Sequence, residues 1–446
     1  MNNSFQSSEL SRRSLLKFAG VGAVALSSSS LLAACAGRDA GVPDKANPLL
    51  MDHLVANVPA FDSTHAAFAA SAKALEAKSE FTSHDGDIQK GLSQVQQFGS
   101  LGVLGVHSAI FADGSIDRYS QILADQKVAN TNLANRLPWL APTDPKFNGY
   151  YLGTVGGPFA DEAYIVSKIL FERGGNKGEV ILLGGPKGGY SETGRRFGVM
   201  KAISETPGVT VVANSYTDWD QSKAQAALET LLPAHPDVKF VLAFNDGVAL
   251  GALAALKAAR NTTALLCGMD GDPGFLEVME NEERIVCTSG GMIAFSGVLA
   301  AVRLYDFING IELNPLESFM NTDSVIIDTP EAASALLELT SEDKPVLWDA
   351  TKMSRHLNGD DWITQHRCLV ADPATDEWAE GASNPTPRPE GFAWPDSYQK
   401  AMDAGELTTL NRDWESRFED PYGSVRAKAQ FQEGVLGALK AGVSVG

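Results

Sequence analysis

The sequence predicts an α/β protein in which two parallel sheets, each covered by helices, form two lobes. Three observations carry that prediction. Short apolar runs alternate with amphipathic helical segments from about residue 51 to 330, the pattern of strand–helix–strand units. The runs number ten, more than one sheet usually holds, so two sheets are the simpler division. The chain has 446 residues, ample for two cores at roughly 150 residues per domain.

In order, strands are expected at 54–58, 101–106, 128–132, 151–155, 180–183, 209–215, 240–243, 264–269, 285–288 and 324–328. Each is a short apolar run of buried-strand length. Helical periodicity fills most of the gaps. After Asp220, a cap residue, Ala224, Ala227, Leu228, Leu231 and Leu232 recur at helical spacing. A second helix, rich in Ala and Leu, follows Asn245-Asp246 over 247–259. Parallel sheets of this kind bind ligands beyond the carboxyl ends of their strands. That rule selects Asn245, Asp246, Asp270, the loop after Val58 and the segment 216–220.

The first 34 residues read as an export address. Arg12-Arg13 opens a basic region, an apolar run of about nine residues follows, and Leu32-Ala33-Ala34-Cys35 closes it. The run is far short of the roughly 20 residues a membrane span requires. The paired arginines match a twin-arginine signal and the last four residues a lipobox, so Cys35 is the expected acylation point. Residues 35–48 are polar and turn-forming, a tether. The expected location is the extracytoplasmic side of the cell envelope, lipid-anchored. Cys267, Cys287 and Cys368 remain, too few for a disulfide framework; the first two lie in expected buried strands.

With 36 basic against 55 acidic residues the net charge is −19, which excludes a nucleic-acid binder because phosphate contacts need a basic face. An apolar content of 44% excludes a disordered chain. The enzyme signatures are missing: there is no Walker loop, no H-E-x-x-H and no nucleophile elbow. The seven histidines hold no pair at metal-ligand spacing. No catalytic residue, metal or cofactor is therefore expected.

The strand ends offer planar polar groups and aromatics instead. Asp270 can accept two hydroxyl hydrogen bonds, Arg195 can donate two in a fixed fork, and Asn245 does both. Trp219 and Phe61 supply flat apolar faces. That mixture suits a polyhydroxylated ring. Beyond residue 340 strand signals fade, and five of the seven tryptophans fall in this last stretch. It reads as an appendage packed on the body, or as a module beside the cleft or a partner; 413–439 reads as helix.

At these residues the chain resembles the sugar-binding proteins of ABC importers, the ribose-binding-like class I periplasmic binding proteins. The resemblance covers residues 51–329. Its most specific pieces are Leu242-Ala243-Phe244-Asn245-Asp246-Gly247 with the helix that follows, Cys267-Gly268-Met269-Asp270-Gly271, Arg195-Arg196-Phe197-Gly198 and Asp218-Trp219-Asp220, in the family's order. The resemblance implies that Asn245, Asp270 and Arg195 bond ligand hydroxyls while Trp219 stacks on the ring. Phe61, Asp62 and Ser63 fall in the first ligand loop, with one aromatic where the family often has two. Asn132 stands where an Asp is common, Gln221 where some members have Arg, and Ser289-Gly290-Gly291 where a Gln is often found. These departures point away from ribose itself.

The implied architecture is a class I periplasmic-binding-protein fold with crossovers near 154–157, 289–291 and 320–323. Residues 49–155 with 291–321 would form one lobe, 156–290 with 322–340 the other, and 341–446 a Trp-rich extension. Ligand would bridge and close the lobes, and ABC permease subunits would read the closed form. A monomer is expected. The alternatives are a sensor component delivering the same ligand to a receptor, and an exported carbohydrate-active enzyme.

Overall fold

In the computed structural model the described residues are 48–445, apart from 57, 110–112, 134–135, 138, 341–346, 377 and 379–387. The expected signal peptide, Cys35 and nearly all of the tether lie outside them. The chain alternates β1 (Leu49–Leu54), α1 (Pro59–Ala74), β2 (Lys78–Ser83), α2 (Ile88–Val95), β3 (Val103–Ser108), α3 (Asp113–Asp125), β4 (Ala129–Leu133) and β5 (Tyr151–Val155). It continues with α4 (Phe159–Arg173), β6 (Gly178–Gly184), α5 (Tyr190–Ser204), β7 (Val209–Tyr216), α6 (Gln221–Leu231) and β8 (Phe240–Ala243). Then come α7 (Asp246–Ala258), β9 (Leu265–Cys267), α8 (Pro273–Met279), β10 (Ile285–Gly290), α9 (Met292–Ile308), β11 (Phe319–Thr322), β12 (Val325–Ile327) and α10 (Pro330–Leu339).

The last stretch holds α11 (Ala350–Met353), α12 (Arg355–Asn358), β13 (Cys368–Val370), α13 (Pro373–Asp376), α14 (Asp396–Asp403), α15 (Glu406–Ser416), α16 (Gly423–Arg426) and α17 (Ala438–Ala441). The strands form two sheets, ordered β13-β11-β5-β4-β3-β1-β2 and β12-β10-β9-β8-β6-β7. All pairs are parallel except β11 with β13 and β10 with β12. The molecule is a two-lobed α/β fold. The chain passes between the sheets after β5, after β10, between β11 and β12, and again between β12 and β13.

Local sequence explains most boundaries. Asp220 caps α6, accepting from the Lys223 N–H at 2.7 Å, and Asn245 caps α7, accepting from Val248 N–H at 2.7 Å. Pro59 opens α1, so the strand expected at 54–58 lies upstream as β1, because the proline's fixed φ starts the helix at once. β1 carries two buried polar residues, Asp52 and His53. His53 shares hydrogen bonds with Tyr119 Oη (2.6 Å) and Gln94 Oε1 (2.9 Å), and burial lowers its pKa to about 3. His107 is likewise buried, bonded to Thr131 at 3.1 Å. Cys267, Cys287 and Cys368 are buried free thiols.

The helix expected at 413–439 is corrected: α15 ends at Ser416, and only two short turns follow. Pro421 lacks the N–H a helix needs, and Gly437 adopts φ +79°. Gly434 pairs with Val325 of β12, so this segment serves the second sheet rather than a helix. Three strands escape the apolar-run criterion: β2, β11 and β13. β2 is a largely exposed edge strand carrying Lys78 and Glu80, and β13 has only three residues.

Helix α5 packs closely on α4 at Gly198, where a Cβ would stand 2.0 Å from the Ala160 carbonyl oxygen. A backbone atom cannot yield as a side chain can. Gly198→Ala should therefore destabilise the protein by about 1–3 kcal/mol, read as a lower urea midpoint at unchanged m-value.

Candidate functional site

The carboxyl ends of β9 and β10 carry a buried charge network. Arg195, on α5, donates through Nε and Nη2 to Glu162 Oε2 at 3.2 and 3.0 Å. It also donates to Asp270 and to the Phe244 carbonyl. Glu162 Oε1 accepts from Ser289 Oγ at 2.6 Å and from Ser324 Oγ at 3.2 Å. The guanidinium carbon lies 5.7 Å from the Trp219 ring centre and 5.3 Å from that of Phe159. Trp219 lies across Gly185, where a Cβ would come within 2.2 Å of the indole; only glycine admits it.

Backbone strain gathers here. Asp270 has φ +121°, and Asp218 and Trp219 have φ +54° and +61°. Non-glycine residues in this region cost on the order of 1–3 kcal/mol each, and such strain concentrates at binding and catalytic sites.

Two more carboxylates stand beside Asp270. Asp246 accepts from Thr288 Oγ1 and from the Asp272 N–H, both at 2.7 Å. Burial first, then the charge of Asp270, pushes its pKa up to about 8. Asp270 is pushed up to about 6 by burial, against the pull of Arg195. Asp272 is raised well above the usual carboxylate range by burial and by the charges of Asp246 and Asp270. It is 6% exposed, and its carboxylate accepts a hydrogen bond from no described residue.

A cavity of about 600 Å³ opens between these strand ends and α1. Asp62, Ser63, Asp270 and Asp272 line one part of it; Gly291 and Ile293 line it at the second crossing. A different cavity, of about 270 Å³, is lined by Arg136, Tyr190, Asn321, Asn411, Asp376 and Lys440. Its polar groups already have partners: Arg136 donates to Tyr190 and Asn321, Asn411 bonds the Val370 backbone, and Lys440 pairs with Asp376. The larger cavity, with its unpartnered carboxylate, is the better ligand site.

Of the expected site residues, Asp62, Ser63 and Asp270 share this cavity, with Arg195 held behind Asp270 and Trp219 behind Arg195. The rest sit elsewhere. Phe61 packs against an apolar cluster where Leu54, Ala109 and Leu133 meet Phe159 and Tyr190. The Asn245 oxygen caps α7. Asn132 is wholly buried, accepting from Ser108 Oγ at 2.7 Å. Gln221 is exposed at the start of α6. Reasoning from sequence missed Glu162, Asp272, Trp348 and Tyr422. Asp272 had a legible signal, an Asp-Pro step two residues past Asp270, and Trp348 lies in the Trp-rich stretch for which a module beside the cleft is one of two readings; Glu162 and Tyr422 had none.

The fold and this strand-end site define a two-lobed binding protein. A family model for the periplasmic binding protein domain matches residues 55–307, more than half of the chain, and the chain belongs to that family. It is 36% identical over 111 residues to the D-apiose import binding protein of Paraburkholderia graminis, which covers 25% of this chain and 36% of that one. It is 30% identical over 135 residues to the xylitol-binding protein of Mycolicibacterium smegmatis, covering 30% and 39%. The aligned stretches thus span little more than a third of these relatives. An ABC transporter periplasmic solute binding protein from Actinobacillus succinogenes, solved with bound D-allose, superposes with a TM-score of 0.58 at 22% identity, covering 65% of this chain and 99% of that one. Among the described residues no group of acidic, His or Cys side chains is placed to hold a metal, and no helix is long and apolar enough to cross a membrane.

A carboxylate whose pKa is raised on folding favours the folded state below its unfolded pKa, near 3.8. That contribution disappears as pH rises through the folded values of about 6 and 8. The ligand-free protein should therefore lose stability steadily as pH rises from about 4 to about 8. Asp272→Asn removes one like charge, so its melting temperature should exceed wild type at pH 8.5 and approach it only near pH 3, by scanning calorimetry.

Proposed function

We propose that this protein is an extracytoplasmic solute-binding lipoprotein that captures a sugar or polyol between its two lobes and delivers it to an ABC importer. One observation carries the reading. Asp270, the unpartnered Asp272, Asp62 and Ser63 line a single cavity, where α1 from one lobe faces a strand end of the other. Carboxylates and a hydroxyl in such a place are acceptors for ligand hydroxyls. Arg195 and Trp219 complete the proposed site by fixing Asp270, whereas Phe61, Asn245, Asn132 and Gln221, expected from the resemblance, stand outside this cavity. The names of the relatives, import binding proteins for apiose and for xylitol, support the ligand class.

In this reading residues 49–155 with 291–321 form one lobe, 156–290 with 322–340 the other, and 341–446 the extension. Ligand bridging the lobes favours the closed form through contacts the open form lacks. ABC permease subunits are the partners, the chain acts as a monomer, and its role is binding rather than catalysis. Residues 1–34 direct twin-arginine export, and acylation at Cys35 holds the protein at the membrane and raises its concentration there.

The reading is tested by a thermal-shift screen of the purified protein against pentoses, hexoses, polyols and inositols. A bound ligand at 100 times its dissociation constant adds about 2.7 kcal/mol of stability, a clear rise in melting temperature; no shift with any of them would refute the ligand class. Asp270→Asn should weaken the binding of a hit by about 1.5–3 kcal/mol, the worth of a charge-assisted hydrogen bond, by titration calorimetry. Replacing Arg12-Arg13 by Lys-Lys should abolish export, and Cys35→Ser should release the exported protein from the membrane, both read by cell fractionation.

A further inference from the structure

The proposed ligand cavity has a second half that no residue of the strand ends supplies. Away from Asp270 and Asp272 it is lined by Ala66 and Ala70 of α1, Leu336 and Leu339 of α10, and Leu347 and Trp348 of the C-terminal extension. The wall is held in place by the extension's own packing. Trp348 stands edge-on to Phe295 at 5.5 Å and to Tyr422 at 6.4 Å between ring centres. Tyr422 shares a hydrogen bond with His366 Nδ1 at 3.1 Å, and His366 Nε2 one with the Asp323 carbonyl at 2.6 Å. At the second crossing Gly291 has φ +93°, and a Cβ there would stand 2.5 Å from Tyr422 Oη. The extension therefore seats directly on the crossing, beside the hydroxyl-binding carboxylates.

We propose, building on the sugar-capture reading, that Leu347 and Trp348 form an apolar subsite, and that the cargo is a glycoside whose hydroxylated ring meets Asp270 and Asp272 while its alkyl or aryl substituent fills that subsite. The volume agrees. About 600 Å³ lies mid-range for pockets that take drug-sized ligands, roughly 300–1,000 Å³. The chemistry agrees as well. An acidic end accepts hydroxyls, and the Ala and Leu side chains with the face of an indole bury a hydrocarbon or phenyl group well. The extension is thus a specificity element, which explains why Trp348 sits at a cavity rather than on an outer face.

The test is titration calorimetry of the full-length protein with matched pairs: D-allose and phenyl β-D-alloside, D-ribose and phenyl β-D-ribofuranoside, L-arabinose and phenyl α-L-arabinofuranoside. Trp348 also packs in the core, so the variants are Leu347→Ala, which removes part of the wall, and Ala70→Phe, which fills the groove from α1. The wild type should bind at least one phenyl glycoside tenfold or more tighter than its parent sugar. Both variants should cut that advantage below threefold, with the parent's Kd changed less than twofold. A parent sugar that binds with no gain from its phenyl group, or a gain that survives both variants, would overturn the subsite and leave sugar capture standing. Failure of all six probes to bind would overturn the subsite, and the reading beneath it falls as well only if the thermal-shift screen of sugars, polyols and inositols is also silent.

Discussion

Glu162 is the residue on which the geometry of the site depends. A buried carboxylate is costly unless its charge and its lone pairs are met. Here they are met by Arg195 from α5, Ser289 from β10 and Ser324 from the crossing between β11 and β12. One side chain thus ties together a helix, a strand end and the segment that joins the two sheets. Arg195, anchored at one end, presents its remaining donors to Asp270 and the Phe244 carbonyl. The strained Asp270 backbone is held by this bond and by its own N–H to Ser289 O at 3.0 Å. The site's orientation is set by charge compensation as much as by the sheet.

The same network leaves the electrostatics unbalanced. Arg195 serves Glu162 and Asp270, while Asp246 is satisfied by a hydroxyl and a backbone N–H, and Asp272 by neither. Burial and like charge then raise both carboxyls, Asp246 to about 8, so that Asp246 keeps its proton at neutral pH. A protonated carboxyl both donates and accepts, which suits hydroxyl ligands; an ionised one accepts only. Binding and pH are therefore linked through the same few side chains.

The C-terminal extension is woven into both sheets rather than appended. β13 pairs with β11 of the first sheet, while Gly434 pairs with Val325 of the second, and a Cβ at Gly434 would lie 1.8 Å from the Asp323 carboxylate. Asp328 accepts from the N–H groups of Gln430 and Phe431 at 2.8 and 3.0 Å, and Asp161 from that of Leu439 at 2.7 Å. Each of these contacts satisfies a carboxylate that would otherwise be buried alone. The extension belongs to the fold's polar accounting as well as to its apolar core.

What the sequence determined by itself was whatever short-range chemistry controls. Apolar runs such as Phe240–Ala243 have to be buried, Asp220 and Asn245 cap the helices they precede, and Asp270 stands at a strand end because Cys267-Gly268-Met269 precedes it. The edge strand β2 escaped because an edge can stay polar, and β13 because three residues form a strand only when β11 is beside them. Which of the strand-end residues meet in one cavity was decided by the tertiary structure alone. Asn245 and Asn132 turned inward because a helix end and a neighbouring serine required their oxygens. Glu162, Asp272, Trp348 and Tyr422, spread over 260 positions of chain, converge because buried charge and apolar surface must find partners wherever the chain brings them.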